Sequence, residues 1–340
     1  MKSFLNSINF LTIIKIPKRF YLEKENFNKT LYYFPLVGLL IGLMIFIFCF
    51  FLSFFLPKII IVILILGFEV LITGAMHLDG LSDTIDGVFS GETQKDKILE
   101  IMKKSDIGVF GVLSLIFLFL IKFALIFYLM SLVGHVNYDT IYSTPNSYQF
   151  NDIRLRSTLD PLAFKNIGFM PINNLFITLN LLLVILFMPA FSRWTINYQF
   201  YKYGLDFKKE EKSLTNIFVG KENRKSYYIA SMYLFTFFAI FLSLSGFFLK
   251  DSFILNNYSW LLQYIKNNFE NYGVYSKLFF LIIPFLKSIL AILIFYFITK
   301  ILSKFFLKKI GRLSGDAIGA LVEISEIVYI FIICLMIFAI

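Results

Sequence analysis

Residues 73–91 read TGAMHLDGLSDTIDGVFSG, a run of acid set directly after an apolar segment. Asp79, Asp83 and Asp86 are spaced by four and then three residues. At about 100° per residue a helix brings all three carboxylates to one face. Two such charges about 4 Å apart repel by about 4 kcal/mol at an effective dielectric near 20, and a divalent cation relieves that repulsion. An all-carboxylate donor set suits a hard ion, Mg²⁺ or Mn²⁺, that shares its remaining positions with water and phosphate oxygens. The competing reading is a solvated helix end with extra acid near its positive pole. Gly80 and Gly87 each follow an acid directly, which leaves room for a substrate to approach the backbone and favours the metal. Asp79, Asp83 and Asp86 are therefore the expected metal ligands. His77, the one histidine nearby, has the intrinsic pKa for proton transfer, yet on an ideal helix it lies nearly opposite Asp79. A hydrogen bond to a neighbouring segment is its alternative role.

Composition sets this stretch in a membrane. Of 340 residues, 58% are hydrophobic and 19% aromatic, with a formal charge of +10. The mean hydropathy is +0.77. A soluble globular chain of this length is far less apolar. The basic residues fall in short segments between apolar runs and form no single patch, which points to membrane orientation and excludes a nucleic-acid partner. Cys49 and Cys334 both lie inside apolar runs, so neither a disulfide framework nor a thiolate metal site is expected.

Working outward, residues 1–33 carry Phe4, Ile8 and Leu11 at helical spacing and read as a short interfacial segment. Asn6 and Asn9 break its apolar part, and no small-residue cleavage site follows, which argues against a signal peptide. Apolar runs at about 34–56, 59–75, 107–133, 172–191, 227–249, 277–299 and 313–340 give an expectation of seven transmembrane spans. The chain is thus expected to be all-α, a polytopic helical bundle forming one catalytic domain over 1–340, with polar extramembrane insertions at 134–171 and 250–276. With the N-terminus inside, 23 Lys and Arg fall on the cytoplasmic side and 7 on the other. That asymmetry is a positive-inside signal. It puts the acidic stretch, Ser192-Arg193-Trp194 and the start of the last span on one face, toward the cytoplasm.

The last run holds Asp316, Glu323 and Glu326, again on one helical stripe. Each carboxylate in a membrane segment costs about 2.5–3.5 kcal/mol on insertion scales, so these are expected to face a polar cavity. Gly311, Gly315 and Gly319 recur every four residues beside them. They suit a close helix contact and also a helix entrance that admits phosphate. Lys103, Lys104 and Arg193 are the nearest cations for an anionic substrate.

HLDGLSDTIDG at 77–87 resembles the signature of the cobalamin synthase family, the integral-membrane adenosylcobinamide-GDP ribazoletransferases. YFPLVGLLIG at 33–42, ILEIMKKSDIGVFGVLSLI at 98–116, Ser192-Arg193 and GRLSGDAIGALVEISE at 311–326 follow in the family's order. The likeness covers most of the chain except the two polar insertions, and the stretch after Arg193 is longer than the family's. One departure stands out: where the family has Asp-Ser-Arg, this chain has Lys104-Ser105-Asp106. A phosphate-contacting arginine therefore does not transfer to that position.

The resemblance implies that adenosylcobinamide-GDP and α-ribazole, or its 5′-phosphate, are joined to give adenosylcobalamin, or its 5′-phosphate, and GMP, with Mg²⁺ as cofactor. It implies a multi-pass protein of the inner membrane whose site faces the cytoplasm. The expected catalytic residues are then Asp79, Asp83, Asp86, His77 and Asp316. Lys103, Lys104, Ser105, Ser192, Arg193, Gly311, Gly315 and Glu323 are the expected substrate-binding residues. Two rivals carry different chemistry. CDP-alcohol phosphotransferases also use an aspartate-rich membrane helix, but their Ala-Arg pair and downstream aspartates are missing here. A divalent-cation transporter would line a path with Glu69, Lys122, Lys287 and Glu323, although no inverted repeat accompanies them.

Overall fold

The computed structural model describes residues 1–104, 106–135, 175–204, 214–220, 222–248, 272–312 and 314–338. Among them every regular element is a helix. Ser105 and most of the two expected insertions lie outside the described residues.

The N-terminal segment forms α1 (Lys2–Leu11), which buries Ile8 and Leu11. The two asparagines that interrupt its apolar pattern are its fasteners. Asn6 Nδ2 donates to the Phe20 carbonyl at 2.8 Å, and the Ile16 N–H donates to Asn9 Oδ1 at 3.3 Å. A 3-10 stretch, Lys24–Tyr33, leads into α2 (Phe34–Leu52), whose second residue is Pro35, a position where a missing N–H costs nothing. Glycines at 38 and 42 let α2 lie backbone to backbone on α7 (Leu175–Tyr203): a Cβ at either would collide with Pro189 and Ala190 or with Ile185 and Leu186. Paired small residues four apart are how helices approach closely in lipid, where apolar burial alone drives no association.

Next come α3 (Lys58–Thr73), α4 (Met76–Phe89), α5 (Lys95–Met102) and α6 (Val109–His135). The chain continues, after α7, with α8 (Glu222–Phe248), α9 (Tyr272–Ile310) and α10 (Gly315–Phe338). Aromatic side chains lock the centre. Phe191 of α7 meets Phe238 of α8, Phe295 of α9 and Tyr329 of α10 at ring separations of 5.0, 5.1 and 5.0 Å.

Among the described residues, five helices are long and apolar enough to cross a bilayer: Lys24–Leu52, Val109–Ser131, Glu222–Ser243, Ile282–Ile310 and Gly315–Met336. A sixth is reached if α3 and α4 count as one broken span. That gives five or six of the expected seven among the described residues, the difference resting on α3. Its 16 residues cover about 24 Å, short of the roughly 30 Å of hydrocarbon, before the axis turns by 93° into α4. Gly74 (φ 67°) and Ala75 (φ 58°), both left-handed, make that turn. The segment expected as a fourth span forms the first half of α7, and that helix runs on through Ser192, Arg193, Asn197 and Gln199, all buried.

Candidate functional site

After the 93° turn α4 packs against α10 and against α6. Asp79, Asp83 and Asp86 share the helix as expected, but not the same surroundings. Asp79 is exposed and Asp83 half-buried, and Asp83 lies in the combined negative field of Asp79, Asp316 and Asp86. Asp86 is tied down. Its two oxygens accept the N–H groups of Gly108 at 2.7 Å and Gly111 at 2.8 Å, so it caps the first turn of α6.

The start of α10 closes the other flank. Ser314 caps it, its Oγ accepting the Ala317 N–H at 3.1 Å. Asp316, in the first turn, sits against α4 so closely that a Cβ on Gly80 would stand 2.8 Å from the Asp316 carbonyl oxygen and 2.9 Å from its Cα. Gly319 meets the His77 backbone in the same way, at 3.3 Å. Gly87 receives Met102 and the Ile98 carbonyl of α5. The glycines after the acids are therefore filled by protein and leave no opening for substrate, which corrects the reading of them as substrate room. Gly311 (φ 83°) ends α9 beside the Lys95 side chain. Lys103 and Lys104 are exposed at the end of α5, and the Lys103 charge reaches Asp316.

Beneath this acidic surface lies a second polar cluster, deep among the helices. Lys122 of α6 donates to Glu326, to Glu323 Oε2 at 3.0 Å and to Glu69 Oε2 at 3.5 Å. Arg193 donates to Glu326 Oε1 and, at 2.8 Å, to Ser192 Oγ, and Ser192 donates to the same Glu326 oxygen at 2.9 Å. All six side chains are buried. His77 is buried too, on the side of α4 away from exposed Asp79, and feels the charges of Arg193, Glu326 and Lys122. Among the described residues its Nδ1 and the Arg193 Nε have no hydrogen-bond partner. Ser192, Arg193 and Glu323, expected to bind substrate, are thus buried and engaged within the protein, Ser192 and Arg193 with each other and Glu326, and Glu323 with Lys122. Glu69, Lys122 and Glu326 were visible in the sequence only as charges inside apolar runs, and nothing there pairs them. The transporter reading loses its path, because Glu69, Lys122 and Glu323 close on each other while Lys287 turns to the Met336 carbonyl at 3.5 Å.

Among the described residues no three acidic, histidine or cysteine side chains form a ready-made metal cage. Mg²⁺ seldom needs one. It is commonly held by one or two carboxylates, its waters and the phosphates of a substrate, and Asp79 with Asp83 fits that pattern.

The described helices thus form an apolar bundle of five or six candidate spans in which α4 brings its carboxylates to the capped starts of α6 and α10. The chain belongs to the cobalamin-5-phosphate synthase family, whose model matches residues 3–142 and 162–334, and it is a transferase of the cobalamin synthase type. An adenosylcobinamide-GDP ribazoletransferase of Clostridioides difficile (strain 630) is 29% identical over 338 residues, covering 99% of both chains. One from Fusobacterium nucleatum subsp. nucleatum is 29% identical over 339 residues, covering 98% of this chain and 96% of its own. A third, from Desulfitobacterium hafniense (strain Y51), is 36% identical over 132 residues, 39% of this chain and 52% of its own. No solved structure matches the chain.

Proposed function

We propose that this chain joins α-ribazole, or its 5′-phosphate, to adenosylcobinamide-GDP at the α4 surface, with Mg²⁺ held by Asp79 and Asp83. A ribazole hydroxyl oxygen forms a bond to the phosphorus carried on the cobinamide arm. The bond from that phosphorus to the GMP oxygen breaks, GMP leaves, and the hydroxyl proton passes to a base. Bound Mg²⁺ supplies charge neutralisation across the diphosphate, the main demand of phosphoryl transfer. Asp79 and Asp83 present oxygen donors at the exposed end of the bundle. Asp86 holds α4 against α6, so that its neighbours keep their direction. Asp316 adds a fourth carboxylate from α10, Lys103 acts on it through its charge, and Lys103 and exposed Lys104 are the cations for the anionic substrate. The Lys and Arg asymmetry, 23 against 7, supports a site facing the cytoplasm in an inner membrane.

The observation that carries the reading is the crowding of half-buried Asp83 by the charges of Asp79, Asp316 and Asp86, with no ion pair to it among the described residues. The test is GMP release by the purified protein in detergent or proteoliposomes. Release should require both substrates and Mg²⁺, and should fall at least 100-fold in Asp79→Ala and Asp83→Ala, in line with the loss of a principal electrostatic contributor. Folded variants that make product at the parental rate would remove both residues from the site.

A further inference from the structure

We infer that Lys122 is a positioning residue for the aspartate site: through Glu323 and Glu326 it locks α10 to α3, and so fixes where Asp316 stands relative to Asp79 and Asp83. The inference rests on the reading of that site as the Mg²⁺ site. Lys122 cannot act by contact with substrate. It lies 13 residues beyond Val109, about 20 Å along α6 from the turn that Asp86 caps. Glu323 and Glu326 are 7 and 10 residues beyond Asp316, about 10 and 15 Å deeper along α10. Whatever the cluster does at the surface, it does through the helix that carries Asp316.

Packing alone does not explain the cluster. Where this chain only needs two helices to touch, it uses glycine, as at Gly38 and Gly42 of α2 against α7. Five charged groups inside the bundle instead carry an insertion cost each, and such groups mark function. Their arrangement says which function. The contacts of Gly80 with Asp316 and of Gly319 with His77 set how closely α4 and α10 approach. Small residues let helix backbones approach closely in lipid, and interhelical hydrogen bonds act beside that packing. Charge-assisted hydrogen bonds are directional. Glu326 has one oxygen on Lys122 and the other on Arg193 and Ser192, so α10 is gripped from α6 and from α7 at a single residue. Lys122 extends the grip to Glu69, only four residues before the end of α3 and hence close to the turn that aims α4. Both helices that carry the site's acids are therefore referenced to one ammonium group.

The experiment compares the parental enzyme with Lys122→Met and Lys122→Arg, reading the Mg²⁺ concentration for half-maximal GMP release, the maximal rate, and thermal unfolding in detergent. For Lys122→Met the Mg²⁺ requirement should rise about tenfold or more, the scale on which outer residues govern metal sites. Lys122→Arg should recover part of it. A folded Lys122→Met enzyme that keeps the parental Mg²⁺ requirement overturns the inference, whatever its melting temperature, because a purely structural residue changes only how much enzyme folds. If Lys122→Met does not fold, the charge-balanced Lys122→Met/Glu323→Gln enzyme decides, since neutral replacement of a buried pair is commonly tolerated. A raised Mg²⁺ requirement there supports the positioning role, and a parental requirement or a failure to fold overturns it. GMP release by the parent without Mg²⁺ would defeat the metal reading itself and this inference with it. A Mg²⁺-dependent parent with an unmoved variant defeats the inference alone.

Discussion

Replacing Gly80 by alanine adds one methyl group at the closest approach of the two helices that carry the proposed site. The new Cβ would stand 2.8 Å from the Asp316 carbonyl oxygen, 2.9 Å from its Cα and 3.2 Å from its carbonyl carbon. Ordinary contact begins near 3.4 Å, so α10 must retreat by about 0.6 Å. The obstructing atoms are all backbone, so no side-chain rotation relieves them. Overpacking of this kind costs about 1–3 kcal/mol of stability. The larger effect is on rate, because Asp316 moves with its backbone, and misplacing a reacting arrangement by about 1 Å costs on the order of 100-fold. Gly80→Ala should therefore lower Mg²⁺-dependent GMP release by roughly 10- to 100-fold while most of the protein remains folded. Gly67→Ala is the control: nothing lies within 4 Å of a Cβ there. On helix propensity alone it should gain up to about 1 kcal/mol. Size-exclusion profiles and thermal melts would report folding, and release of GMP would report function. A folded Gly80→Ala enzyme working at the parental rate would refute the claim that this contact sets the geometry of the acids.

Asp86→Ala removes both acceptors at the start of α6 and should lower stability by about 1–2 kcal/mol, the loss expected for a helix cap, seen as an earlier thermal transition. Asp79→Ala, at an exposed position, should leave that transition in place, and equal shifts for the two variants would contradict the assignment of Asp86 as the cap. Ala75→Gly relieves a left-handed residue that costs about 1–2 kcal/mol, against about 0.5–1 kcal/mol of added backbone entropy. A net gain of up to about 1 kcal/mol is expected in a detergent unfolding titration, with GMP release kept.

The aspartate face was legible because helical periodicity is a local property, and Asp79, Asp83 and Asp86 do share α4. The bend before them was not. Gly74 is an ordinary stop signal, but nothing in a sequence reveals that Ala75 is also left-handed, and those two residues turn an apparent crossing into a pair of helices bent by 93°. Asp86 differs from its neighbours because a loop 22 residues later brings Gly108 to it. The buried cluster was hidden for the same reason on a larger scale: Lys122 meets Glu69 across 53 residues and Glu326 across 204. Pattern reading shows that such charges need partners. It does not say which.

The placement of α10 bears on what kind of change the helix tolerates. Within its most apolar stretch 72% of residues are buried, against 22–39% for the other four candidate spans, so among the described spans it is the one most enclosed by protein. Through Glu323 and Glu326 it also supplies two of the three carboxylates around Lys122. The other candidate spans have most of their apolar stretch open to lipid, where one hydrophobic side chain serves much like another, whereas α10 is read residue by residue by its protein neighbours.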